Sequence, residues 1–190
     1  MRGLVMWQRY WTPACFVCGL HNGDGLRATV VGRGPAAWVR VTVPAAFMGM
    51  PQTLHGGVVA ALLDEAMWYA VFGAGHLTVT SSLQLRFVRP VPPGEPLLAA
   101  AAAEETGASD GRPARVVRAC ATLLDASGRL LASARGSFTR AERVQEVHRL
   151  IGSGPADEAT VRSIESWPVR RGRRAAGPYS VREEGTSDGA

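Results

Sequence analysis

The 190-residue chain is long enough for one domain with a sizeable core and a tail, and its 46% hydrophobic and 19% charged residues argue against a disordered or fibrous protein. No apolar run approaches the ~18–20 residues of a membrane span, and Met1–Trp7 turns polar too soon for a signal peptide, so a cytoplasmic protein without a membrane partner is expected. The net charge of +5 rests on arginine alone, whose planar fork of donors suits phosphates and carboxylates; the charge fits an anionic small molecule and weak nucleic-acid contact equally, although no nucleic-acid partner is expected.

Residues 1–26 read as an irregular lead segment. Its Trp7, Tyr10, Trp11 and Phe16 suggest that it packs on the domain. Cys15 and Cys18 stand at C-x-x-C spacing, with Cys120 the third cysteine; this odd, low count does not suggest a disulfide framework. A zinc site would need two more ligands, of which His21 is one candidate. The simpler reading is two partly buried thiols in a tight turn, with no metal expected.

The main domain spans 27–141. Two β-like runs flank Gly32–Pro35, and the second alternates Val39, Val41 and Val43 with Arg40 and Thr42, the period of a half-buried strand. Residues 44–54, with Pro44, Gly49 and Pro51, read as a loop. Val58–Phe72 lacks Pro and Gly and is apolar almost all round, as a buried helix is; Gly73 and Gly75 end it. Four β-like runs follow, at Leu77–Val88, Pro96–Glu105, Ala114–Asp125 and Arg129–Thr139. Pro90–Gly94 breaks the first from the second, and Asp125–Gly128 forms a hairpin turn. Ala99–Ala103 has helical propensity, but its position between turns and among strands favours a strand.

Residues 142–190 differ in kind. Glu142–Ile151 is amphipathic, Gly152–Pro155 is a break, and a second short helix is expected over Ala156–Trp167. Arg170–Arg174 and a polar end complete a helical, flexible, arginine-rich accessory tail. The order β-β, one buried helix, then four strands implies an α+β fold in which an antiparallel sheet curls around a single helix, the hot-dog arrangement.

The chemistry concentrates in Thr53–Glu65. Gly56 and Gly57 open the helix, where free N–H groups point outward and glycine lets a ligand approach closely, as an oxyanion or anion site requires. Asp64 sits inside the apolar helix, where a carboxylate is costly unless paired or used. Glu65 faces elsewhere, because adjacent helix positions differ by ~100°. Asp64 follows His55 by nine positions, about 13 Å along the axis and half a turn round it. One chain therefore cannot bring both to one atom. A shared site needs two protomers, each giving its helix start to the other's acid.

Thr53–Asp64 with Thr80–Pro90 resembles the PaaI-like branch of the hot-dog acyl-CoA thioesterases. Cys15–Leu20 with Asn22 and Gly25-Leu26 is similar to a lead segment in part of that branch, so the resemblance covers roughly 15–139. It implies hydrolysis of an acyl-CoA by a homodimer or homotetramer, without a cofactor. By resemblance, the Gly56 N–H polarises the thioester carbonyl and Asp64 is the general base or the nucleophile. Thr80 helps hold the water or the carboxylate, and His55 shapes the helix start. Gly57, Gln52, Ser81 and Ser82 are the expected substrate contacts. Many relatives carry Asn or Gln six residues before the His; here that position is Gly49, and Gln52 is the substitute.

Two other readings compete. One is an acyl-thioester dehydratase or hydratase on this fold, against which stands Tyr69 where an Asp-x-x-x-x-His pair would need its histidine. The other is a non-catalytic acyl-CoA-binding protein, since fold alone does not establish activity.

Overall fold

In chain order, the strands are β1 (Gln8–Trp11), β2 (Thr29–Arg33), β3 (Ala36–Thr42), β4 (Met48–Met50) and β5 (Thr53–Leu54). Helix α1 (Gly56–Gly73) follows, then β6 (Thr78–Phe87), β7 (Pro96–Ala103), β8 (Val116–Asp125), β9 (Leu130–Arg140), β10 (Gly152–Pro155) and helix α2 (Glu158–Glu165). The structure, a computed structural model, describes residues 6–104, 115–140 and 150–168. The amphipathic segment expected over Glu142–Ile151 lies almost wholly outside those residues, as does Arg170–Arg174.

Eight strands form one antiparallel sheet in the order β10-β1-β2-β3-β7-β8-β9-β6, and β4 pairs with β5 in a separate ribbon. α1 packs against the sheet, with Leu62, Leu63, Ala66, Met67 and Ala70 fully buried. At 18 residues it is long and apolar enough to span a membrane by length and composition, yet its inner turns fill this core. Full burial of each large aliphatic side chain stabilises the fold by about 1.5–3 kcal/mol.

The alanine run resolves as a strand for a packing reason. Ala99 and Ala101 join the cluster under α1, while Leu98 and Ala100 join a second cluster with Val31, Trp38 and Ile164 of α2. Covered on both faces, β7 shows continuous burial instead of alternation, and small side chains let both layers approach.

The sequence reading needs three corrections. The lead segment is not wholly irregular, because β1 pairs with β2. Residues 44–54 hold a single 3-10 turn at Ala45–Phe47 and the β4–β5 ribbon, not a featureless loop. Gly152–Pro155 is a strand paired with β1, and the α2 that follows buries Ile164 on the outer face of the sheet. Trp167 Nε1 donates to the Asp125 carbonyl at 2.9 Å. Residues 152–168 thus belong to the domain.

The β8–β9 turn is organised by Asp125. Its Oδ1 accepts the N–H of Ser127 and Arg129 and the Ser127 hydroxyl at 2.8–3.0 Å, and Arg129 Nε donates to Oδ2 at 2.7 Å. Burial alone raises the Asp125 pKa, but these bonds overcome it and hold the carboxyl below its usual range. Asp125→Ala is expected to cost about 1–3 kcal/mol in chemical denaturation at neutral pH. Because the folded pKa is depressed, the ionic part of that difference is lost as pH falls through the folded value; a difference that persists in acid would assign it to packing instead.

Candidate active site

α1 starts at His55, whose extended backbone (φ −60°, ψ 136°) and side chain cap the helix: Nδ1 accepts the Gly57 N–H at 3.0 Å. The His55 carbonyl accepts the N–H of Val58 and Val59 at 2.9 and 3.3 Å. Three of the first four N–H groups are therefore engaged. The fourth, on Gly56, has no acceptor among the described residues. His55 thus caps the helix, and the one donor left over among the described residues is that of Gly56, not Gly57.

Gly49 lies under the His55 ring. A Cβ built there would lie 3.0 Å from both Cα and Cδ2 of His55, so any side chain at this position would have to push His55 aside by a few tenths of an ångström. Gln52 is exposed in the β4–β5 turn with a left-handed φ of 59°.

Asp64 lies half-buried about 12 Å further along the helix axis than Gly56. Thr80 Oγ1 donates to its Oδ1 at 2.9 Å. A bulge in β6 creates this contact. Leu83, Leu85 and Phe87 alternate toward the helix face, and strict alternation would turn Thr80 outward. The β6–β9 register slips between Thr80 and Ser82, so Thr80 lies opposite the buried Phe138 and turns inward. The extra residue, Ser81, spends its hydroxyl on the Ser137 carbonyl at 2.9 Å. Ser82 points the other way, into an open depression of about 330 Å³ shared with Gln84, Arg118 and Arg135. Within one chain, Asp64 and Thr80 come together, while His55, Gly56 and Gly57 lie at the helix start and Gln52 stays in the β4–β5 turn.

Burial raises the Asp64 pKa above the ordinary aspartate value, and the Thr80 hydrogen bond opposes that shift. Thr80→Val therefore moves the acid limb of any Asp64-dependent rate profile to higher pH, and about a tenfold loss is expected from one hydrogen bond to a charged group. A pH–rate profile identical to wild type would remove Thr80 from the site.

Two neighbours escaped the sequence reading. Phe87, 56% exposed, covers the helix start: a Cβ on Gly56 would meet its Cζ at 3.3 Å. Glu65 does face away from the Asp64–Thr80 pair, but toward the lead segment, where Cys15 Sγ lies 3.4 and 3.6 Å from its two oxygens. Burial pushes the Glu65 carboxyl up to about 8. Only the ~100° step between Asp64 and Glu65 hinted at this, and nothing in the spacing names the cysteine as the partner.

Comparisons with known proteins bear on the fold. The family model of the thioesterase superfamily matches residues 51–110, which carry the helix start, Asp64 and Thr80. No curated protein matches the chain. Among solved structures, a thioesterase superfamily protein is similar at 27% identity and a TM-score of 0.60 over 67% of this chain; the chain spans only 60% of that protein's length. The Escherichia coli PaaI protein from the phenylacetic acid degradation operon is similar at 26% identity and a TM-score of 0.55, over 61% of this chain and 80% of that one. A Streptococcus mutans protein shares the fold at 16% identity and a TM-score of 0.54, over 60% of this chain and 88% of that one. The large antiparallel sheet with its single packed helix is the hot-dog fold, and the chain is similar to PaaI-like proteins of the thioesterase superfamily.

Proposed function

We propose that the protein hydrolyses an acyl-CoA, or a related acyl thioester, in a site built by two copies of the chain. The observation that carries this reading is the separation of two complementary groups along α1: an unengaged N–H at Gly56 and a Thr80-bonded carboxylate at Asp64. The first suits a developing oxyanion, the second a water to be deprotonated or a carbonyl to be attacked.

β6 supplies the means of joining them. It is one of the two edge strands of the sheet, ten residues long and largely exposed, with apolar Val79 near its start and Phe87 and Val88 at and just past its end. Such an edge invites another strand. Antiparallel pairing with a second copy's β6 would lay the Thr80 end of one strand along the Phe87 end of the other. Asp64 would then approach the partner's Gly56.

In the general-base form, Asp64 takes a proton from water as the oxygen bonds to the thioester carbon. The carbonyl electrons move onto the oxygen held by the partner's Gly56, then return as the C–S bond breaks. The thiolate leaves with the proton from Asp64, giving acid and thiol. In the nucleophilic form, Asp64 displaces the thiolate to make an anhydride that water then opens. The Streptococcus mutans neighbour was solved bound to acetyl CoA, a precedent for a CoA thioester on this fold.

The test is thiol release from a panel of aryl and short- to long-chain acyl-CoAs. Turnover of one class supports hydrolysis and names the acyl group. Tight binding without thiol release would replace this reading with a binding protein, and hydration of an enoyl thioester without thiol release would replace it with a hydratase.

A further inference from the structure

We propose that Cys15, Cys18 and Glu65 form a binding site for one divalent transition-metal ion, zinc by the character of its ligands, that ties the lead segment to α1. The ligand atoms, two sulfurs and one carboxylate oxygen, all lie within 4.8 Å of one another. For tetrahedral zinc, bonds of ~2.3 Å to sulfur and ~2.0 Å to oxygen set the S···O edge at roughly 3.5 Å. The distances from Cys15 Sγ to the two Glu65 oxygens, 3.4 and 3.6 Å, bracket that edge. Glu65 thus aims its carboxyl at the sulfurs, with no cation among its described contacts.

The backbone around the pair is arranged as an outer shell for thiolates. The Val17 N–H donates to Cys15 Sγ at 3.2 Å, and the Thr12 N–H donates to Cys18 Sγ at 3.3 Å. Hydrogen bonds to the charged form favour it, and a metal needs the thiolate. The chain then turns back so closely that the Gly19 N–H reaches the Cys15 carbonyl at 3.0 Å. A Cβ on Gly19 would lie 2.3 Å from that carbonyl oxygen, so no other residue fits. The Tyr69 hydroxyl, 3.4 Å from Cys18 Sγ and 3.1 Å from Thr12 Oγ1, closes the inner side. His21, the third ligand suggested by spacing alone, is exposed and lies outside the cluster. Three protein ligands leave the fourth position to water, on the side where Cys15 is only half-buried. Binding exchanges thiol protons for the cation and fixes α1 one residue beyond Asp64.

The site stands apart from the hydrolase reading, and its test does not use activity. The full-length chain, reduced and freed of metal, is titrated with Co²⁺ and then with Zn²⁺. One Co²⁺ per chain is expected, with the near-ultraviolet absorption of thiolate-to-cobalt charge transfer, and Zn²⁺ should abolish that band. Cys15→Ser and Cys18→Ser should each remove or strongly weaken it, and Glu65→Gln should keep it while weakening affinity at least tenfold. No thiolate band in the reduced wild type at tenfold excess Co²⁺ overturns the site, whatever the variants do. Unchanged affinity in Glu65→Gln overturns the role of the carboxylate. If the protein isolated without reductant is two hydrogens lighter and its reduced form binds no Co²⁺, the pair is a reversible disulfide instead.

Discussion

Replacing Asp64 with asparagine is expected to lower thiol release at neutral pH by at least about 100-fold, the scale of a positioned acid or base. Asparagine keeps the shape and can still accept the Thr80 hydroxyl, so the loss would report the charge rather than the packing. Burial holds the Asp64 pKa above 3.8, and in the proposed reaction the working form is the carboxylate. Wild-type activity should therefore rise with pH through an elevated acid limb that is missing from the residual rate of the variant. The stability sign runs opposite to the activity. A carboxyl whose folded pKa is raised contributes stability that is fully present below its unfolded value and lost as pH rises through the folded one. Asp64→Asn should thus unfold at a temperature equal to or above wild type at neutral pH, with the gap closing in acid below 3.8. Lost activity with higher stability would mark a group kept for function. Full activity in the variant would end any role for Asp64 in the chemistry.

Asp64 was legible because a carboxylate in an all-round apolar helix violates the local pattern, and Gly56 because a glycine pair at a helix start is unusual. The strands β2, β3, β6, β8 and β9 were legible from periodicity and turn residues. What periodicity alone did not carry is what depends on other elements, although the resemblance named Thr80 and the flanking turns marked β7 as a strand. Strict alternation through Leu83 and Leu85 turns Thr80 outward, and only the register slip against β9 turns it in. β7 hid its period because α1 and α2 cover both of its faces. Gly152–Pro155 reads as a break in isolation and becomes a strand because β1 offers it an edge. The link between Cys15 and Glu65 spans fifty residues, and no local spacing encodes it.

The proposed sharing of one site between two chains makes the most distinctive prediction. Gly56→Pro removes the unengaged N–H with little cost to the helix. Proline is well tolerated at the first helical position, and His55 before it is already extended at ψ 136°, as a residue preceding proline must be. The Cβ of the ring would meet exposed Phe87, which can yield. Loss of one oxyanion donor is expected to cost about 10²–10³ in kcat. Asp64→Ala and Gly56→Pro chains, each nearly inactive alone, are then co-expressed. Random pairing makes half the dimers mixed. In each mixed dimer, one site takes its acid from the Gly56→Pro chain and its donor from the Asp64→Ala chain, and the other site lacks both. The mixture should therefore recover about a quarter of wild-type activity per chain. A site contained in one chain would recover none, since every chain then carries one defect. Recovery at that level would establish that the acid and the donor act across the interface, and its absence in a proven mixed dimer would return both groups to a single protomer.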